Sequence, residues 1–110
     1  MNSTSLPEAN ELAVAVIDDL SSGHWSRVSE QVDPAVRDQL SEDILAAAWN
    51  QIIGLAGAYR GHGEPESTRV GDVTISDTPL FFLAGDFKAR ISFLDDRRIV
   101  GLFILTSESG

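Results

Sequence analysis

The spacing of the apolar residues changes once along this 110-residue chain, at Gly57. Before Gly57 the apolar residues recur every three or four positions, which is the period of a helix that buries one face. After Gly57 they alternate with polar residues, which is the period of a strand. Helices followed by a run of neighbouring strands predict an α+β domain with an antiparallel sheet. The length suits one domain, to which we assign residues 1–110.

The first half predicts three N-terminal helices packed on that sheet. The first occupies residues 7–20, because Pro7 suits the first helical turn and Ser21-Ser22-Gly23 stops the helix. The polar residues before it lead us to expect that residues 1–6 are flexible. The second helix is short, with Trp25, Val28 and Val32 at helical spacing.

A capping signal and a stop signal bound the predicted third helix. Asp33-Pro34 first marks a cap and a turn after the second helix. The third helix then begins after Ser41, whose hydroxyl suits the N-cap, and ends at Gly57.

The second half predicts a series of antiparallel strands. They are placed at residues 58–63, 68–76, 87–94 and 99–106, with residues 79–84 either continuing the second strand or forming another. The turns between them are placed at residues 64–67, at Gly85-Asp86 and at residues 95–98. Strict alternation along the last strand places Val100, Leu102 and Ile104 on one face and Ile99, Gly101, Phe103 and Leu105 on the other.

Apolar residues on both faces of the last two strands predict a second covering layer. Helices on one side of a sheet need only one apolar face. The simplest cover for the other face is a second copy of the chain, so we predict a homodimer through the convex face of the sheet. Alternatively a different protein covers that face, through Phe81, Leu83, Val100, Leu102 and Ile104.

Composition excludes several classes of function. Seventeen acidic and eight basic residues give a net charge of −9, which disfavours nucleic acid and anionic membranes as partners. The chain has no cysteine for a disulfide or a thiolate zinc site. The sequence shows no signal-peptide pattern and no apolar run of membrane length, so we expect a cytoplasmic protein. With two separate histidines and no phosphate-binding loop, we expect no metal and no cofactor.

The stretch GAYRGHGEP, residues 57–65, holds the most conspicuous polar cluster. Regular strand alternation would place Tyr59 on one face and both Arg60 and His62 on the other, so the three would not converge. The simpler interpretation is an entry into the sheet. The functional alternative keeps Tyr59 and His62 as catalytic candidates, because histidine titrates near neutral pH.

Four other residues are candidates for a site. Asp77 lies in a strand, where aspartate is disfavoured, and a carboxylate buried there would have a raised pKa and serve as a general base. The alternative role for Asp77 is to mark a bend. Trp25 and Trp49 fit the helical core, and with Tyr59 and Phe82 they are candidate ligand-binding residues.

Three local strings resemble a known superfamily. SGHWSRV, LAAAWNQIIGLAGAY and TPLFFLAGDFKARISFLDDRRIVGLFIL are similar to the nuclear transport factor 2-like superfamily, and most similar to the uncharacterised bacterial domain of unknown function 3887 group, over residues 6–105. The resemblance implies a cystatin-like α+β cone: a strongly curved antiparallel sheet, with a mixed edge, around a pocket. It also implies a convex face that commonly dimerises.

The resemblance leaves the function open. The superfamily includes isomerases, dehydratases, cyclases and non-enzymatic binding modules, and no catalytic set matches this sequence position by position. Our leading hypothesis is a module that binds a small apolar ligand or has an accessory role. The alternatives are a cofactor-free isomerase, cyclase or dehydratase acting on a hydrophobic polyketide- or terpenoid-like substrate, and a protein-interaction module.

Overall fold

The computed structural model describes residues 8–106, so the predicted flexible segment lies outside the described residues. The α-helices are α1 (Ala9–Ser21), α2 (Trp25–Glu30) and α3 (Glu42–Ala56), with a 3₁₀ helix at Pro34–Leu40 between the last two. The strands are β1 (Tyr59–His62), β2 (Glu66–Val70), β3 (Val73–Phe82), β4 (Gly85–Leu94) and β5 (Ile99–Thr106). The predicted α+β class is confirmed.

The predicted helix signals act where the sequence places them. The Ser41 hydroxyl accepts a hydrogen bond from the Ile44 N–H at 3.4 Å, and Gly57 follows α3 with a φ of 84°. The Asp33 carboxylate accepts from the Ala35 N–H at 2.9 Å. Beyond this cap, however, Pro34 opens a seven-residue 3₁₀ helix where a turn was predicted. Proline at the first helical position is compatible with either outcome.

Five strands form one open antiparallel sheet. The order is β1-β3-β4-β5. The remaining strand, β2, also pairs with β3: β2 pairs with residues 73–77 of β3, and β1 pairs with residues 80–82. Between strand and helix layers, Val32 forms an isolated parallel bridge with Ile99. Within residues 8–106, no helix has the length and apolar character needed to cross a membrane.

Three turns differ from the prediction. The turn placed at residues 64–67 ends earlier, because β2 already begins at Glu66. The strand expected over residues 68–76 is divided into β2 and β3 by a tight turn at Gly71-Asp72, with Val70 opposite Val73. Gly71 has a φ of 61°, which suits the first central position of a type II′ hairpin turn. The turn expected at Gly85-Asp86 lies two residues earlier, since Phe82 already pairs with Gly85.

A bulge corrects the predicted faces of β5. The register with β4 shifts between Ser92 and Phe93, so one extra residue of β5 is accommodated there. Leu102 and Ile104 consequently lie opposite the buried residues Ile91 and Ala89, on the helix-covered face. Their predicted place on the outer interaction surface is therefore wrong, because a bulge reverses the alternation beyond it.

The hydrophobic core lies between the helices and the inner face of the sheet. α1 contributes the fully buried Ala13, Val16 and Ile17, and α3 contributes Leu45, Trp49 and Ile52. The sheet contributes Leu80, Phe82, Ala89, Ile91, Phe93 and Ile99. The alternating burial of β3 and β4 thus agrees with a sheet that is covered by helices on one side.

Candidate functional site

An apolar cleft of about 480 Å³ lies between α3, the 3₁₀ helix and β5. The wall on the β5 side is formed by residues 100–104, and Phe87 of β4 contributes to it. The 3₁₀ helix contributes Val36, Gln39 and Leu40. The volume falls within the range of about 300–1,000 Å³ that is typical of small-molecule sites.

The sequence of α3 builds the other wall with a second apolar stripe. Its core stripe is Leu45, Trp49, Ile52 and Ala56, which are buried. Beside it runs a stripe at similar spacing, and its members that line the cleft are Ile44, Ala48, Gln51 and Leu55. A helix with one apolar stripe would leave that second face to charged residues, so α3 is apolar over a wider arc than its core contact requires.

Large apolar side chains are exposed at the rim of the cleft. Ile44 is 45% exposed, Leu55 73% and Phe103 59%, and all three are cleft residues. Among residues 8–106, the polar side chains that line the cleft are the amides of Gln39 and Gln51, and no histidine, tyrosine, lysine, arginine or carboxylate belongs to the wall. The cleft therefore offers apolar contact, with hydrogen bonding limited to neutral groups.

Four aromatic rings meet beside this cleft. Trp49 lies with its ring centroid 5.4 Å from Tyr59 and 5.6 Å from Phe82, and Tyr59 lies 5.5 Å from Phe82. Phe82 in turn contacts Phe87, at 5.4 Å. Of the predicted ligand-binding residues, Trp49 lines the cleft, whereas Tyr59 and Phe82 support it from behind. Phe87, which the sequence did not single out, completes the lining.

Trp25 lies apart from this cluster. It is the first residue of α2 and is partly buried against the core. It is not among the residues that line the cleft. The structure therefore assigns it to the packing of α2, as its helical spacing to Val28 indicated.

The structure brings Tyr59 and His62 to the same face of β1, contrary to the expectation from regular alternation. The register with β3 shifts between Tyr59 and Gly61, so that Tyr59 lies opposite Phe82 and His62 opposite Leu80. Phe82 and Leu80 are both buried on the inner face. The bulge includes Gly61, which has a φ of 148° that glycine adopts readily. Arg60 alone remains exposed.

Neither Tyr59 nor His62 belongs to the residues that line the cleft. The Tyr59 hydroxyl is buried with no hydrogen-bond partner among the described residues. Burial raises the pKa of Tyr59 to about 12, and the negative charge of Asp18 adds to the shift. His62 Nδ1 donates to the Gly63 carbonyl oxygen at 2.7 Å. In His62 one imidazole nitrogen is therefore already engaged in a hydrogen bond, and in Tyr59 the phenol resists ionisation.

Asp77 does not meet the condition for a general base. It lies on the outer face of β3, where its carboxylate accepts hydrogen bonds from two guanidinium nitrogens of Arg90. These bonds, and then the positive charge of Arg90, hold the pKa of Asp77 below its ordinary value despite partial burial. The predicted raised pKa is wrong, because the carboxylate has a cationic partner on the neighbouring strand.

A row of hydroxyls on the inner face of β3 was missed from the sequence. Thr74, Ser76 and Thr78 are fully buried, and the hydroxyls of Ser76 and Thr78 have no hydrogen-bond partner among the described residues. The available signal was three Ser/Thr residues at alternate positions of one strand. Because the hairpin at Gly71-Asp72 was not predicted, the sequence did not show that these three residues face the core.

The described residues offer no metal centre. Within residues 8–106, no group of three or more histidine, aspartate or glutamate side chains is arranged to hold a metal ion. Some acidic side chains are instead engaged in ion pairs: Asp33 and Asp96 both pair with Arg98, at 3.1 Å and 3.0 Å.

Comparison with known proteins yields one match. A family model described as "Protein of unknown function (DUF3887)" matches residues 13–102, which include α3, the 3₁₀ helix and the first half of β5. No curated protein and no solved structure matches the chain.

Proposed function

The chain belongs to the DUF3887 family of proteins of unknown function, and we propose that this member is a module that binds a small apolar ligand in the cleft between α3 and β5. The observation that carries the proposal is the wall itself. The cleft has a volume suited to a small molecule, and apolar side chains are exposed at its rim. Exposure of these side chains to water costs free energy, which a bound apolar ligand would recover.

The lack of charged residues among the described residues of the wall indicates the class of ligand. An anionic ligand would find no lysine, arginine or histidine in the wall, and the net charge of −9 would repel it. A cationic ligand would find no carboxylate there. The proposal is therefore restricted to neutral, largely apolar molecules that hydrogen-bond through neutral groups such as the amides of Gln39 and Gln51.

Binding is favoured over catalysis for the same reason. An isomerase, cyclase or dehydratase without a cofactor needs a titratable side chain within hydrogen-bond reach of its substrate. Tyr59 and His62, the sequence candidates that share the inner face, are not part of the cleft wall. Asp77 faces the opposite side of the sheet. The enzymatic alternative therefore has no supporting observation at this cleft.

We further propose that the fold is the cone of the nuclear transport factor 2-like superfamily. Support comes from the placement of all helices on one face of an open, wholly antiparallel five-stranded ladder. The predicted homodimer through the outer face of the sheet stays a prediction. That face carries the ion pair of Asp77 and Arg90 among apolar residues such as Phe81.

The test is binding of N-phenyl-1-naphthylamine, a neutral apolar molecule whose fluorescence rises in a dry environment. We expect saturable binding to the native chain and quenching of Trp49, whose indole lines the cleft. The Ala48→Phe variant should bind at least tenfold more weakly, because Ala48 is exposed within the cleft and a phenyl ring there occupies it.

Ala47→Phe is the matched control. Ala47 is the preceding residue of α3 and is also exposed, but it does not line the cleft. Both variants add the same side chain to the same helix, so their effects on helix propensity and surface hydrophobicity cancel in the comparison. Equal binding by the two variants, or no saturable binding by the native chain, would overturn the proposal.

A further inference from the structure

Among the residues that the structure describes, the outer edge of β5 has no backbone partner over most of its length. At its start, the Ile99 N–H donates to Gln31 at 2.9 Å and the Ile99 carbonyl accepts from Asp33 at 2.8 Å. Beyond Ile99, no residue within the described range 8–106 pairs with this edge. An unpaired edge is a template for another strand.

The direction of the unpaired groups follows from the ladder with β4. The Leu94 N–H donates toward the β5 side, to the Arg98 carbonyl oxygen at 2.9 Å. Alternation along β4 then directs the backbone groups of Ile91 and Ala89 toward β3. Their partners on β5 are Leu102 and Ile104, whose N–H and C=O groups consequently point away from the sheet.

The side chains of β5 do nothing to discourage pairing. Sheet edges are usually protected by lysine, proline or inward-pointing charge, and residues 99–106 contain no charged residue and no proline. In a chain with a net charge of −9, a second copy is repelled by most of the surface. The edge of β5 and the cleft beside it form an uncharged region where two copies can approach.

We propose that two copies of the chain associate by antiparallel pairing of β5 with the partner's β5, with a twofold axis at Phe103. This register places the outward backbone groups of Leu102 opposite those of the partner's Ile104. It also brings two exposed Phe103 rings together.

This interface differs from the predicted contact of two convex faces. It extends one sheet into the other, edge to edge, and it adds the partner's Ile104 to the open side of the cleft. The association does not depend on the proposed ligand, because the unpaired backbone groups are present with or without one. Its test is therefore separate from the binding test.

The absence of native cysteine makes the register directly testable. In the proposed pairing Phe103 lies opposite the partner's Phe103 at a site without mutual hydrogen bonds, where Cα atoms are about 4.5 Å apart. That separation is within the range of about 4.4–6.8 Å found in disulfides. We therefore expect the Phe103→Cys variant to form a disulfide-linked dimer under mild oxidation.

Leu83→Cys is the matched control. Leu83 is 64% exposed, close to the 59% of Phe103, but it lies in the turn between β3 and β4. We expect the Phe103→Cys variant to cross-link at least tenfold faster than Leu83→Cys at equal protein concentration. Equal rates, or no cross-linked dimer, would overturn the proposed register.

A second variant tests the association without a cross-link. Phe103→Lys places two like charges at the axis, while replacing a side chain that is already largely exposed. Light scattering should give the dimer mass for the native chain and the monomer mass for Phe103→Lys. A native monomer, or a Phe103→Lys dimer of undiminished stability, would overturn the proposal.

Discussion

Arg90 holds the carboxylate of Asp77 from the neighbouring strand, donating from Nε at 2.9 Å and from Nη2 at 3.0 Å. The two residues lie directly opposite each other in the register of β3 and β4. A guanidinium that donates two parallel bonds to a carboxylate favours the ionised form of the acid. On the outer face of the sheet, Asp77 thus forms an ion pair between β3 and β4, whereas the sequence alone indicated it as a candidate base.

Replacing Asp77 with Asn should lower the free energy of unfolding at neutral pH by no more than about 1 kcal/mol, since the pair is partly exposed. The pKa of Asp77 is lowered in the folded state, so its contribution is present above the unfolded value and lost as the pH falls through the folded value. Chemical denaturation of both proteins between pH 7 and pH 2 measures this. A difference that grows as the pH falls would contradict the assignment.

Tyr59 is the single tyrosine of the chain, so its ionisation is directly observable. Because burial raises its pKa to about 12, absorbance near 295 nm should show no tyrosinate at pH 10, the ordinary value for tyrosine. Because the pKa of Tyr59 is raised in the folded state, its ionisation leaves the stability unchanged below pH 10 and lowers the stability as the pH rises from 10 toward 12. Half-ionisation near pH 10 in the folded protein would contradict the burial of the hydroxyl.

The Tyr59→Phe variant should unfold with a free energy higher by about 1 kcal/mol, because it removes a buried hydroxyl that has no hydrogen-bond partner among the described residues. The ring contacts with Trp49 and Phe82 are retained in this variant. Thermal and urea unfolding at pH 7 measure the change. A loss of stability would mean that the hydroxyl has a partner in solution.

The elements that were predicted correctly are those whose signals are local. The caps at Asp33 and Ser41, the stop at Gly57 and the bounds of β5 each depend on residues within a few positions. The side chain of a capping residue and the backbone of a glycine act on neighbouring peptide groups. Their effect therefore does not depend on the tertiary fold.

The features that were missed depend on register or on contacts distant in sequence. One bulge placed Tyr59 and His62 on the same face, and another moved Leu102 inward. A single inserted residue reverses the faces of a strand and leaves its composition unchanged. A pocket was implied by the resemblance, and Trp49 was a candidate for it, but its two walls were not located. They come from α3 and β5, whose apolar stripes gave no indication in the sequence that they would face each other.

The buried hydroxyls of β3 lead to a prediction for Thr78. Thr78→Val keeps the shape of the side chain and removes a hydroxyl that has no hydrogen-bond partner within residues 8–106, so the free energy of unfolding should rise by about 1 kcal/mol. Thr68→Val is the control, since Thr68 is exposed on the neighbouring strand β2 and should change little. Urea unfolding measures both. A clear loss of stability confined to Thr78→Val would show that its hydroxyl is hydrogen-bonded in solution.

The two glycines of the α3 region should respond in opposite directions to alanine. Gly57 has a φ of 84°, and a Cβ there would lie 2.9 Å from the Cβ of Leu83, so Gly57→Ala should lower the free energy of unfolding by more than about 1 kcal/mol. Gly54 lies inside α3, and a Cβ there would have open space around it. Gly54→Ala should therefore raise the free energy of unfolding, by up to about 1 kcal/mol, through helix propensity.

Urea unfolding of the two variants provides the measurement, and each is the control for the other. Both changes add one methyl group, so a general effect of composition would move both in the same direction. Opposite signs would confirm that α3 ends at Ala56 and that Leu83 packs over the glycine that follows it. A stabilised Gly57→Ala variant would contradict the positive φ, and with it the path by which the chain leaves α3 for β1.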